Sequence, residues 1–75
     1  MENLEEAIRR IQRMEKIFDA VQADHEHPSL GELVRYYEGG QWLRDYELDE
    51  QGLLPRDLKR GVLSQDGVYN LLEQL

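Results

Sequence analysis

The sequence has no cysteine, and its 75 residues include only two prolines, one tryptophan and one phenylalanine. Without cysteine the chain forms no disulfide, no thiolate zinc site and no cysteine nucleophile. A single core in this size range supplies only about 3–5 kcal/mol of net stability. The folded state must therefore depend on well-packed helices or on a partner subunit. We expect one helical domain, residues 1–75.

Basic residues are also scarce, since nine Lys and Arg stand against 16 Asp and Glu and give a net charge of −7. A nucleic-acid-binding protein needs a basic surface that displaces phosphate counterions, and anionic membranes likewise attract basic segments. We therefore expect neither nucleic acid nor a membrane as a partner. No apolar run approaches the roughly 20 residues of a membrane span, and the segment MENLEEAIRR has no apolar signal core. These absences predict a cytoplasmic protein.

The most regular hydrophobic pattern lies in residues 3–24, where apolar residues recur at steps of three and four and predict an amphipathic helix. Its apolar side consists of Leu4, Ala7, Ile8, Ile11, Met14, Phe18 and Val21. Its opposite face carries Glu5, Glu6, Arg9, Arg10, Arg13 and Lys16. Asn3 as N-cap and Glu6 at the third helical position come close to a capping box. The apolar side extends over three heptads, so a homodimer through this helix is an alternative to the simpler interpretation, one helix packed across its own domain.

Glycine and proline divide the remainder of the chain. Pro28 ends the first helix, and a second helix follows with Leu30, Leu33, Val34 and Tyr37 on one side. Gly39-Gly40 stops or kinks it. Helical spacing resumes over residues 41–50, and the sequence leaves open whether this third helix continues the second.

The segment after Gly52 is predicted to be irregular. Pro55 suits a first helical position and suggests one helical turn over residues 55–60, which Gly61 ends. Ser64 is the predicted N-cap of a last helix, whose apolar stripe is Val68, Leu71, Leu72 and Leu75. Strand-type alternation occurs nowhere. The sequence therefore predicts an all-α fold, a small bundle of three to four helices with an irregular turn containing glycine and proline before the last helix.

The central segment resembles a short bacterial family, domain of unknown function 4298. The residues that carry the resemblance are Tyr36-Tyr37, Trp42, Asp45-Tyr46, Asp49-Glu50, Gly52, Leu54-Pro55, Asp57-Leu58-Lys59-Arg60 and Gly61-Val62-Leu63-Ser64. The family motif usually ends RGVLSED, and Gln65 replaces its glutamate here. The resemblance covers nearly the whole chain. It implies a small helical bacterial protein and brings no activity, cofactor or catalytic residue with it.

The acidic residues of the central segment allow two interpretations. Asp45, Asp49 and Asp57 are candidates for a metal-dependent or hydrolytic site. A calcium loop fits poorly, because alignment with an EF-hand places Leu58 where a bidentate glutamate is required. The competing interpretation is that the acids pair with nearby bases, which are Arg44, Arg56, Lys59 and Arg60. We expect no metal, no other cofactor and no enzymatic activity.

The aromatic residues of the same segment give the leading functional hypothesis. Aromatics at helical spacing are most often core, and the acidic surroundings argue against a platform for nucleic-acid bases. Large aromatics that remain exposed among charges are typical of an interaction surface. We therefore expect a small module that binds another protein, of unknown identity, through Tyr36, Tyr37, Trp42, Tyr46 and Arg60. The alternatives are the enzyme built on Asp45, Asp49 and Asp57 and an acidic mimic of nucleic acid.

Overall fold

The computed structural model describes residues 3–64 and 66–74, and these residues form four α-helices and one short 3₁₀ helix. The elements are α1 (Leu4–Ala23), α2 (Leu30–Glu38), α3 (Gln41–Glu50), the 3₁₀ helix (Gly61–Leu63) and α4 (Gly67–Glu73). The described ranges contain no strand, so the all-α class and the irregular segment before the last helix are confirmed. None of the described helices is long and apolar enough to cross a membrane.

Helix α1 packs its predicted apolar side into the core. Its buried hydrophobic residues are Ala7, Ile11, Met14, Phe18 and Val21. The Asn3 side chain caps the helix by accepting a hydrogen bond from the Glu6 N–H at 2.8 Å, which satisfies one of the donors that a helix start leaves open. Leu4 is the exception on the apolar side, with 40% of its surface exposed. The helix therefore lies across its own domain, and a dimer through the same side requires these residues to leave the core.

Two glycines determine where α2 and α3 begin and end. Gly40 has a φ of 92° and separates the two helices, so α3 does not continue α2. At the other end of α3, Gly52 has a φ of 72°. The Gly52 N–H donates to the Asp49 carbonyl at 3.0 Å, and the Leu53 N–H donates to the Leu48 carbonyl at 3.1 Å. This pair of bonds is a Schellman motif, which requires a residue in the left-handed conformation.

The turn predicted over residues 55–60 is present as a single hydrogen-bonded turn that ends at Leu58. The Leu58 N–H donates to the Pro55 carbonyl at 3.2 Å, which closes a single turn, and no helix follows until Gly61. The guanidinium of Arg60 donates to the carbonyls of Pro55 at 2.5 Å and of Leu58 at 3.3 Å. These side-chain bonds hold Arg60 against the turn, while Leu54 and Leu58 are buried in the core.

The last helix begins at Gly67 rather than at Ser64. Asp66 is its N-cap, and Ser64 instead has extended backbone angles at the end of the 3₁₀ helix. A Cβ atom on Gly67 would lie 3.0 Å from the Gly61 carbonyl oxygen and 3.4 Å from the Phe18 ring. Glycine therefore lets α4 begin directly against the 3₁₀ helix and α1. Val68 is buried as expected, as is Leu71, whereas the predictions on Gln65 and Leu75 lie outside the described residues.

Candidate functional site

The predicted interaction residues separate into a buried tyrosine and a partly exposed group. Tyr36 is only 3% exposed, and its hydroxyl donates a hydrogen bond to Oδ2 of Asp45 at 2.6 Å. A side chain in this position contributes to the core rather than to a contact surface. The structure therefore separates Tyr36 from the other aromatic residues of the predicted patch.

Tyr37, Trp42 and Tyr46 form a continuous set of ring contacts, which we call the aromatic row. Tyr37 meets Trp42 edge to face, with ring centroids 5.1 Å apart and an interplanar angle of 64°. Trp42 stacks on Tyr46 with centroids 5.1 Å apart and an angle of 18°. The indole N–H of Trp42 donates to the Val62 carbonyl at 2.8 Å. This bond fixes the row between α3 and the 3₁₀ helix, and all three rings keep a partly exposed surface.

Charged residues surround the Tyr46 end of the row. The guanidinium of Arg60 forms an ion pair with Asp49, which follows Tyr46 by three positions on α3 and therefore lies on the same side of the helix. A hydrogen bond between the Glu50 side chain and the Tyr46 hydroxyl raises the pKa of Tyr46, and partial desolvation and the negative charges of Glu50 and Asp49 add to the effect. The structure thus brings together Tyr37, Trp42, Tyr46 and, through Asp49, Arg60.

A buried ion pair between α1 and α3 was not expected from the sequence. Arg10 donates from Nε to Oδ2 of Asp45 at 2.9 Å and from Nη2 to Oδ1 at 2.5 Å. Asp45 has no exposed surface, and the Arg10 side chain is 16% exposed. The sequence placed Arg10 on the solvent face of α1 and paired Asp45 with bases of its own segment, and both predictions are wrong. Residue spacing could have indicated that Arg10 is partly buried, because it follows Ala7 by three positions and therefore borders the apolar side of α1.

A second buried carboxylate, Glu15, connects α1 with the 3₁₀ helix. Glu15 is 8% exposed, and its Oε2 accepts a hydrogen bond from the Val62 N–H at 2.8 Å. A Cβ atom on Gly61 would lie 2.9 Å from Oε1 of Glu15, so a side chain at position 61 would displace this carboxylate. Glu15 therefore satisfies a backbone donor at the start of the 3₁₀ helix, where negative charge is favourable.

The three aspartates proposed for a metal-dependent or hydrolytic site lie in different surroundings. Asp45 is buried against Arg10 and Tyr36. Asp49 is paired with Arg60, as the ion-pair interpretation expected. Asp57 is exposed. Among residues 3–64 and 66–74, no group of three or more His, Cys, Asp or Glu is arranged to hold a metal ion. The geometry therefore does not join these aspartates in one site.

Comparison with known families identifies one that covers the whole chain. The family is described as Domain of unknown function (DUF4298), and the match includes residues 1–75. No curated protein and no solved structure matches the chain significantly. The match agrees with the resemblance carried by the central segment, and its description assigns no activity, ligand or partner. Because the match extends over every residue, the chain belongs to the DUF4298 family, a domain of unknown function.

Proposed function

We propose that this chain is a protein-interaction module and that its contact surface is the aromatic row with its charged rim. The row consists of Tyr37, Trp42 and Tyr46, and the rim consists of Asp49, Glu50 and Arg60. The observation that carries the proposal is the continuous contact of three partly exposed rings. Tyrosine, tryptophan and arginine are the residues most enriched among those that dominate binding energy at protein interfaces.

Rigidity of the rings also supports a binding role. The Trp42 indole is held by the Val62 carbonyl and stacks on Tyr46, so both rings are already ordered before a partner arrives. Binding through ordered aromatic side chains loses little conformational entropy. The row therefore supplies apolar contact area at a low entropic cost.

The charged residues of the rim would orient a bound partner. Arg60 is partly exposed and neutralises Asp49, whereas Glu50 is exposed and leaves a negative charge beside the Tyr46 hydroxyl. Charged rims of this kind fix the orientation of a partner more than they increase its affinity. Tyr36 does not belong to this proposed surface, because its side chain is buried. We do not propose the enzyme built on Asp45, Asp49 and Asp57, since no observation favours it.

Site-specific photo-crosslinking tests the proposal. A photoreactive phenylalanine derivative replaces Tyr46 in the row or, as a matched control, Tyr69 on α4, which is 51% exposed. Both chains are irradiated in living cells, and the adducts are identified by mass spectrometry. We expect a defined protein adduct from position 46 and none from position 69, because only position 46 lies in the contact surface.

The captured partner is then purified and its affinity measured by calorimetry with the wild type, Tyr46→Ala and Tyr69→Ala. We expect Tyr46→Ala to weaken binding by about 30-fold, the usual effect of removing a dominant interface residue. Tyr69→Ala should bind like the wild type. Equal adduct yields at the two positions, or equal affinities of the two variants, would contradict the proposal.

A further inference from the structure

The fold brings together three arginines that are separated in the sequence, and they line one groove. The groove lies between α1 and α2 and has a volume of about 330 Å³. It is lined by Arg10, Arg13, Glu32, Arg35, Tyr36 and Gln41 among others. We call it the arginine groove. None of the residues of the aromatic row lines it, so its function is separate from the one proposed above.

The charge of the groove is opposite to that of the molecule. Three of the nine basic residues of the chain line it. The carboxylates of Glu32 and Asp45 neutralise two of the three arginines, which leaves one positive charge. The whole chain carries −7, so the rest of the molecule carries −8. A positive groove on such a molecule attracts anions specifically to this place.

Two of the arginines already have carboxylate partners before any ligand binds. Asp45 holds Arg10 through two hydrogen bonds at the floor of the groove, and Glu32 holds Arg13 at 2.5 Å. Arg35 differs, since its guanidinium is exposed and forms no ion pair or hydrogen bond with any residue that the structure describes. Guanidinium groups bind the oxygens of carboxylates and phosphates through paired, charge-assisted hydrogen bonds. The groove thus combines a fixed, ion-paired floor with one guanidinium ready to bind.

We propose that the arginine groove binds an oxyanion, the phosphate or carboxylate group of a small ligand, with Arg35 as its principal contact. The anion is expected to lie between Arg35 and the Arg13 side chain, which is 67% exposed. Arg10, whose charge Asp45 neutralises, forms the floor beneath the anion. The one uncompensated positive charge of the groove matches the single charge of a carboxylate or of a singly ionised phosphate group.

Titrations of ¹⁵N-labelled protein with sodium phosphate, sodium acetate and sodium chloride test this inference. The three salts are compared at pH 7 and equal ionic strength, and the backbone amide signals of Arg35, Tyr36 and Gln41 are followed by NMR. We expect saturable shifts with phosphate or acetate and only small, linear shifts with chloride. Saturation with phosphate alone identifies phosphate as the ligand group, and saturation with acetate shows that a carboxylate suffices.

Two variants with the same loss of charge complete the test. Arg35→Gln removes the proposed contact, and Arg56→Gln removes an exposed arginine that does not line the groove. We expect Arg35→Gln to weaken anion binding by about tenfold, the loss of one charge-assisted hydrogen bond, and Arg56→Gln to change it little. Thermal unfolding of both variants verifies that they fold. Linear shifts with all three salts, or equal affinities of the two variants, would overturn the inference.

Discussion

Asp45 is fully buried and receives its hydrogen bonds from two other helices. Arg10 of α1 donates to both carboxylate oxygens, and Tyr36 of α2 donates to one of them. A buried carboxylate is tolerated only when such partners replace the water that it loses. The arrangement joins α1, α2 and α3 through one side chain, so its loss affects the whole packing.

We expect Asp45→Ala to destabilise the protein severely. The substitution leaves the Arg10 guanidinium and the Tyr36 hydroxyl without their carboxylate partner. Removing one partner of a buried ion pair costs about 3–5 kcal/mol of folding free energy. Because a core of this size supplies only about 3–5 kcal/mol in total, much of the variant should be unfolded at 25 °C. Urea unfolding followed by circular dichroism and by Trp42 fluorescence measures the change.

Two controls separate this effect from a general loss of acidic charge. Glu47→Ala, two positions along α3 at an exposed site, should change the free energy of unfolding by less than about 0.5 kcal/mol. The double variant Arg10→Met with Asp45→Leu should recover much of the lost stability, because apolar side chains of similar volume replace a buried ion pair well. A cost below about 1 kcal/mol for Asp45→Ala would show that the pair does not organise the core.

At the scale of the elements, Gly31 and Gly52 have equally open surroundings but different backbone conformations. No heavy atom outside the local chain lies within 4 Å of a Cβ atom built on Gly31 or on Gly52. Gly31 is in the first turn of α2, whereas Gly52 has a φ of 72° in the Schellman motif after α3. Substitution by alanine adds the same methyl group at both, so any difference in stability comes from the backbone.

We expect Gly31→Ala to stabilise the protein by about 0.4–1 kcal/mol, since alanine restricts the unfolded chain and favours the helix. Gly52→Ala should destabilise it by about 1–2 kcal/mol, the cost of a side chain in the left-handed conformation. The midpoints of urea unfolding give both values. If the two variants shifted the midpoint in the same direction, backbone conformation would not be the cause.

Features that depend on neighbouring residues were predictable from the sequence. The range 3–24 predicted for the first helix differs by one residue at each end from Leu4–Ala23, and the bounds of α3 are those predicted. Periodicity, the Asn3 cap and the glycines all act locally, which is why they locate these helices.

Features that depend on distant residues were not predictable. The Arg10–Asp45 pair joins positions 35 residues apart, and the Glu15–Val62 bond joins positions 47 apart. The arginine groove likewise forms only when α1 packs on α2. In the segment over residues 55–60, proline predicted the single turn that ends at Leu58, but the bonds from the Arg60 side chain to the carbonyls of Pro55 and Leu58 could not be predicted. Within the candidate site, the sequence identified the aromatic residues, and only packing separates Tyr36 from the row.

At the scale of the whole molecule, α1 is the longest described element and is nearly as long as the protein. Its 20 residues span about 30 Å at 1.5 Å per residue, and the longest dimension of the protein is 32 Å. Buried residues of α2, the segment after Gly52, the 3₁₀ helix and α4 form one core with its apolar side. Among residues 3–64 and 66–74, the exposed large hydrophobic residues are Leu4, Leu43, Leu53 and Tyr69, and of these only Leu4 belongs to α1.

We therefore expect the isolated chain to be a monomer of 8.9 kDa. A stable dimer needs roughly 800 Å² of complementary surface on each partner, and the side of α1 that would supply it is already buried in the core. Light scattering coupled to gel filtration, repeated across a hundredfold dilution, should give one constant mass. Leu4→Gln serves as the control, because it changes the single exposed residue of that side and should leave the mass unaltered. The expectation would be contradicted if the mass rose towards twice this value with concentration and Leu4→Gln reduced it. Helix α1 would then pair with a second copy, and the core packing described for α1 would have to open in solution.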